Sequence, residues 1–118
     1  MISFTSRVIK GIGMGRKLGF ATINLQIPDN FELDNEGVYS CGVKHKNSLY
    51  KGALYYGLRK SLGIEGKTLE IHLLDFDGDL LGEEVRITIG EFIRGAEKFN
   101  STKELIAQIA KDVDMIRG

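Results

Sequence analysis

The sequence predicts a mainly β fold, a small antiparallel barrel with one C-terminal α-helix. Three observations carry this expectation. Segments 3–10, 37–45, 48–56, 67–76 and 82–90 are rich in Val, Ile, Tyr and Leu and are bounded by Gly, Asn or Asp, which is the composition of strands between turns. Only the last segment has helical periodicity. The 118 residues allow one hydrophobic core and not two, so residues 1–118 are expected to form a single domain. Many short strands in sequence, with one helix to cover an opening, make a barrel the economical architecture.

The elements follow in order. Strand 3–10 runs into a segment with glycines at 11, 13, 15 and 19, interleaved with Arg16 and Lys17. An extended stretch then carries Thr22 and Asn24, whose i, i+2 spacing puts both on one face. Residues 27–36, from Ile27-Pro28-Asp29 to Glu36, read as a polar loop. Lys46-Asn47 is a short turn joining 37–45 to 48–56, and Asp77-Gly78-Asp79 is read as a hairpin turn joining 67–76 to 82–90. Ser101-Thr102-Lys103-Glu104 is a capping box, with Ser101 as N-cap and Glu104 at N3. Leu105, Ile106, Ile109, Val113 and Ile116 then recur at helical spacing, giving an amphipathic helix of about four turns.

Composition narrows the function. Sixteen basic and sixteen acidic residues cancel, so no broad nucleic-acid or anionic-membrane footprint is expected. No apolar run approaches the ~18 residues of a membrane span. Residues Met1 to Arg7 lack the apolar core of a signal peptide. Cys41 is the one cysteine, which excludes an internal disulfide framework and a cysteine zinc site. A cytoplasmic setting is expected, with Cys41 behaving as a small buried apolar residue.

The glycine segment is the richest in chemistry. Glycine lacks a Cβ and lets a ligand approach backbone N–H groups closely. Arg16 and Lys17 add positive charge, and Thr22 and Asn24 could offer a hydroxyl and an amide oxygen to a Mg²⁺ riding on phosphates. The plain alternative is a surface hairpin with a basic tip.

Three other motifs fail. Ser61 to Thr68 is one residue from a P-loop, but its Lys67 leads into an alternating strand rather than a helix. Asp75-Phe76-Asp77-Gly78-Asp79 starts like a calcium loop, but its glycine is misplaced and Arg86 stands where the closing glutamate belongs. The N-terminal glycines lack dinucleotide-binding spacing and a following helix.

Glu70 is the remaining candidate. Strand alternation places Leu69, Ile71 and Leu73 on one face and Glu70, His72, Leu74 and Phe76 on the other. Glu70 is then either a solvated strand residue or a base in a cleft. A carboxylate suits phosphoryl transfer, where the base orients a hydroxyl and accepts its proton. His72 reads as a hydrogen-bonded barrel residue and His45, beside a turn, as solvent-facing.

Gly15-Arg16-Lys17-Leu18-Gly19-Phe20-Ala21-Thr22-Ile23-Asn24-Leu25, then Gly37-Val38-Tyr39, then Leu69 to Gly82, then Phe92-Ile93-Arg94 and Phe99, resemble riboflavin kinase in order and spacing. The resemblance covers roughly residues 4–117. It implies a six-stranded Greek-key barrel closed by the C-terminal helix. It implies an ATP- and Mg²⁺-dependent enzyme that phosphorylates the ribityl 5′-hydroxyl of riboflavin to give FMN and ADP, and the protein is expected to act as a monomer. By the same resemblance Thr22 and Asn24 hold the metal and Glu70 is the catalytic base. Gly11, Gly13, Gly15, Arg16, Lys17, Leu18, Gly19, Ala21 and Thr22 contact the nucleotide, and Arg94 binds the flavin. The chain departs from the family at Ala21, where proline is usual, at Tyr55 to Ser61, at Leu81, where an aromatic residue is frequent, and at Arg94-Gly95-Ala96, where Arg-Pro-Glu is usual. The changes at 55–61 and 94–96 leave an alternative: a non-catalytic flavin- or nucleotide-binding barrel of the same fold.

Overall fold

The computed structural model describes residues 2–10, 21–58, 66–76, 78–97 and 99–117. The strands are β1 (Ile2–Ile9), β2 (Ala21–Leu25), β3 (Gly37–His45), β4 (Ser48–Leu58), β5 (Lys67–Leu73) and β6 (Glu84–Gly95), and helix α1 (Thr102–Arg117) follows. They close into a barrel in the order β1-β2-β5-β4-β3-β6, with every pair antiparallel. Strands β3, β4 and β5 form a meander, and β6 returns to lie beside β3, which is a Greek key. Strand β1 then bridges β6 and β2, so the barrel has no open edge.

Period-two alternation fills the interior. Ile23, Leu25, Cys41, Val43, Leu54, Leu69, Ile71, Leu73, Val85 and Ile87 form one buried cluster. Burying each large aliphatic side chain contributes about 1.5–3 kcal/mol. The 27–36 loop is less polar in effect than its composition implies. Leu33 is buried, and Phe31 packs on Phe4 and Tyr56, with ring centroids 4.8 and 5.6 Å apart.

Helix α1 packs on part of the barrel's outer face rather than over an opening as the sequence reading expects. Ile109 and Val113 bury against Leu74, and Ile116 packs on the cluster of Val38, Ala53 and Tyr55. Its N-terminus is capped by Ser101, whose Oγ accepts from the Glu104 N–H at 3.2 Å. The Glu104 carboxylate reaches back to the Asn100 N–H at 3.0 Å, one residue earlier than a standard capping box.

Three further sequence expectations change. The hairpin joining the fourth and fifth expected strands is absent: β5 pairs with β2 and β4, whereas β6 pairs with β1 and β3. The connecting residues cross between non-adjacent strands, turning through Asp75 at φ 54° and Gly82 at φ 82°. Strand β6 runs on to Gly95, past the expected end at 90, because it continues along β3 through two register shifts. At its end Gly37 has φ 148°, and a Cβ there would run into the Arg94 carbonyl. Only glycine allows this approach. Finally, His45 does not face solvent. Its side chain is 17% exposed and its Nε2 lies 3.0 Å from Glu83 Oε1, because the loop before β6 brings Glu83 against the turn.

Candidate active site

The register of β2 on β5 builds the site. Thr22 pairs with His72 and Asn24 with Glu70, and opposed residues of an antiparallel ladder project to the same side. Ile23 and Ile71, one position along, point into the barrel, so the four polar residues share its outer face. Sequence spacing gives the Thr22/Asn24 and Glu70/His72 faces, and the ladder joins them.

Asn24 and Glu70 line one cleft of about 500 Å³. Ile9, Ile27 and Leu69 supply apolar wall, and Lys10 and Lys67 supply positive charge. Glu70 is 8% exposed although it stands on the outside of the barrel. Lys67 Nζ donates to the Tyr56 hydroxyl at 3.3 Å, and that bond holds the ammonium above its usual 10.5. Such a cleft can take an anionic ligand at its lysines and set a hydroxyl against a carboxylate acceptor.

Thr22 Oγ1 lies 2.8 Å from His72 Nδ1. His72 is buried and reaches a second, smaller pocket that it shares with Tyr55, Arg94, Leu105 and Asp112. The hydrogen bond agrees with reading His72 as a barrel residue with a partner.

A divalent cation fits the Thr22 and Asn24 donors. A hydroxyl and an amide oxygen are hard, neutral ligands, and Mg²⁺ usually takes few protein groups, its other positions going to water and substrate phosphates. Among the described residues no group of three or more His, Cys, Asp or Glu could hold a metal, so an all-protein cage is not an option there. The calcium-like run is occupied otherwise. Asp75 pairs with Arg117 at 2.9 Å, and Asp79 Oδ1 accepts from the Leu81 N–H at 2.9 Å.

Arg94 stands apart from the main cleft. Its Nε and Nη2 donate to Asp112 Oδ1 and Oδ2, each at 2.9 Å, a two-pronged pair that ties β6 to α1. Gln108 Nε2 also donates to Asp112, at 3.1 Å, and the Arg94 guanidinium lies 5.8 Å from the Phe99 ring centroid. Asp112, 2% exposed, is a residue that reading the sequence missed. Its signal was present. It falls on the stripe Leu105, Ile109, Ile116 at helical spacing, and a carboxylate buried there requires a cation. Gly11, Gly13, Gly15, Arg16, Lys17, Leu18 and Gly19 lie outside the described residues. Ala21 opens β2, next to Thr22.

The riboflavin kinase family model, Flavokinase, matches residues 1–118. The chain belongs to the riboflavin kinase family. It is 35% identical over 105 residues to the trifunctional protein RibF/MnmA of Mycoplasmoides gallisepticum, covering 89% of this chain and 16% of that protein. It is 33% identical over 118 residues to a bifunctional riboflavin kinase/FMN adenylyltransferase of Buchnera aphidicola, covering 98% and 38%. The RNA-binding riboflavin kinase RibR of Bacillus subtilis is 35% identical over 117 residues, with 98% and 50% covered. The crystal structure of a macrolide-efflux protein from Streptococcus pneumoniae matches with a TM-score of 0.86 at 28% identity, covering 98% of this chain and 38% of that one. The chain thus spans between 16% and 50% of the length of these curated relatives. Among the described residues no helix is long and apolar enough to cross a membrane.

Proposed function

We propose that this flavokinase domain transfers the γ-phosphoryl group of ATP to the ribityl 5′-hydroxyl of riboflavin, giving FMN and ADP. The carrying observation is the cross-strand pairing of Asn24 with Glu70 inside one cleft, in a chain of this family.

Each residue has a part. Glu70 accepts the proton of the 5′-hydroxyl as its oxygen attacks the γ-phosphorus, and the bond from that phosphorus to the ADP oxygen breaks. Phosphoryl transfer needs little covalent help from the protein, so positioning and charge neutralisation carry most of the rate. Thr22 and Asn24 would hold a divalent cation, which supplies neutralisation of the charge on the transferred phosphoryl group. Lys10 and Lys67 favour polyanion entry. Gly11, Gly13, Gly15, Arg16, Lys17, Leu18, Gly19 and Ala21 are assigned to the nucleotide on the sequence pattern. Arg94 is assigned to the flavin side as the residue that fixes α1, its guanidinium being committed to Asp112. The protein is taken to act as a monomer in the cytoplasm.

The test is direct. Incubation with riboflavin, ATP and Mg²⁺ should yield FMN and ADP in equal amounts. Tight binding of flavin or nucleotide with no FMN formed would establish the non-catalytic barrel instead.

A further inference from the structure

We infer that His72 is a positioning residue for the metal side of the site: its Nδ1 orients the Thr22 hydroxyl so that the oxygen faces a cation. The inference rests on the proposal that Thr22 is a metal ligand and adds a residue to it.

A threonine hydroxyl carries one proton and two lone pairs and rotates freely about its C–O bond. A cation needs the lone pairs, so the proton must be directed elsewhere. The structure places a ring nitrogen within reach of it, since Thr22 Oγ1 and His72 Nδ1 lie 2.8 Å apart. With the ring proton on Nε2, Nδ1 accepts the hydroxyl proton and turns the lone pairs away from the imidazole. The ring itself is held. His72 is 6% exposed, sits opposite Thr22 in the β2–β5 ladder and opposite Ala53 on the other side. It closes one wall of the pocket beneath α1, facing Ile109 and Asp112. A rotation of the imidazole therefore meets packed neighbours. Groups that orient metal ligands from behind typically change metal affinity by about 10–100-fold when removed.

Two polar substitutions separate this role from simple burial. In His72→Asn the amide reaches about as far as Nδ1 and can still accept from Thr22. In His72→Gln it reaches about as far as Nε2 and overshoots. ADP affinity is measured by calorimetry for the full chain, with Mg²⁺ and again with a chelator. The ratio of the two is the gain due to metal. H72Q should lower that gain about tenfold or more and leave the chelator value unchanged, whereas H72N should restore it to within a few fold. T22V should lower the gain as H72Q does, and the T22V/H72Q double variant should be no worse than T22V alone, because the two act through one contact. If T22V lowers the gain and H72Q does not, His72 has no positioning role and the inference is overturned. If T22V leaves the gain unchanged, Thr22 is no ligand and the underlying reading fails instead. Equal losses in H72N and H72Q would show that only the ring's packing matters, which also overturns it.

Discussion

Asn24 and Glu70, far apart in sequence, are direct partners in the β2–β5 ladder and line the same cleft. A neutral amide oxygen and a carboxylate are thus held side by side on rigid strands. This supports separate tasks, with Asn24 at the metal and Glu70 at the hydroxyl. Glu70→Gln keeps the size and hydrogen-bonding ability of the side chain but loses the proton acceptor. FMN formation should fall by about 10²–10⁴-fold while the melting temperature stays near that of the parent. An unchanged turnover number would remove Glu70 from the reaction.

Asn24→Ala should separate binding from stability. Asn24 is only half-buried, so its loss leaves no large cavity. Calorimetric titration should show Mg·ATP bound at least about tenfold more weakly, with the unfolding midpoint in urea little moved. If the midpoint falls while affinity holds, Asn24 is a structural residue.

Much of the fold was legible in the residues. The 37–45 strand is bounded by Gly37 and a Lys46-Asn47 turn, and its ends match the structure. The helix was marked by Ser101 and its apolar stripe. Pairing was not legible, because Asp77-Gly78-Asp79 is a plausible hairpin turn by local chemistry. Barrel closure sends β6 to β1 and β3 instead, and closure is a property of all six strands. The contact between Thr22 and His72 spans fifty positions and leaves no local trace. His45 was misjudged for the same reason, since Glu83 comes from another part of the chain.

Arg16 is assigned to the nucleotide phosphates by sequence pattern, and the assignment makes a selective prediction. A hydrogen bond to a charged partner is worth about 1.5–3 kcal/mol, so Arg16→Ala should weaken ATP binding roughly 10- to 100-fold. Riboflavin affinity, followed by quenching of flavin fluorescence, should not change. A loss of flavin affinity as large as that for ATP would argue against a phosphate contact.

The Arg94–Asp112 pair should control stability. Arg94→Ala strands a carboxylate that is 2% exposed, with Gln108 as its remaining side-chain donor among the hydrogen bonds described. Breaking one side of a buried pair costs about 3–5 kcal/mol, whereas replacing both partners by apolar groups of similar volume is often close to neutral. Urea unfolding should therefore show a large loss for R94A and a substantial recovery in R94M/D112L. A double variant no more stable than R94A would mean that the pair's charge is not what α1 needs.

Cys41 makes stability fall at alkaline pH. Burial raises its thiol from 9.0 to about 12, because the thiolate cannot be solvated inside the barrel. The folded protein keeps this proton where the unfolded chain has lost it. The contribution is complete below pH 9.0 and is lost as pH rises toward about 12, at about 1.4 kcal/mol per pH unit. Unfolding free energy, measured in urea at about pH 8 and about pH 10.5, should therefore drop more steeply in the parent than in Cys41→Ala. Lys67, held above 10.5 by Tyr56, titrates in both proteins and drops out of the comparison. The substitution lowers stability at both pH values through the space it leaves, so the slope between them carries the result, and equal slopes would show that the thiol is not protected by the fold.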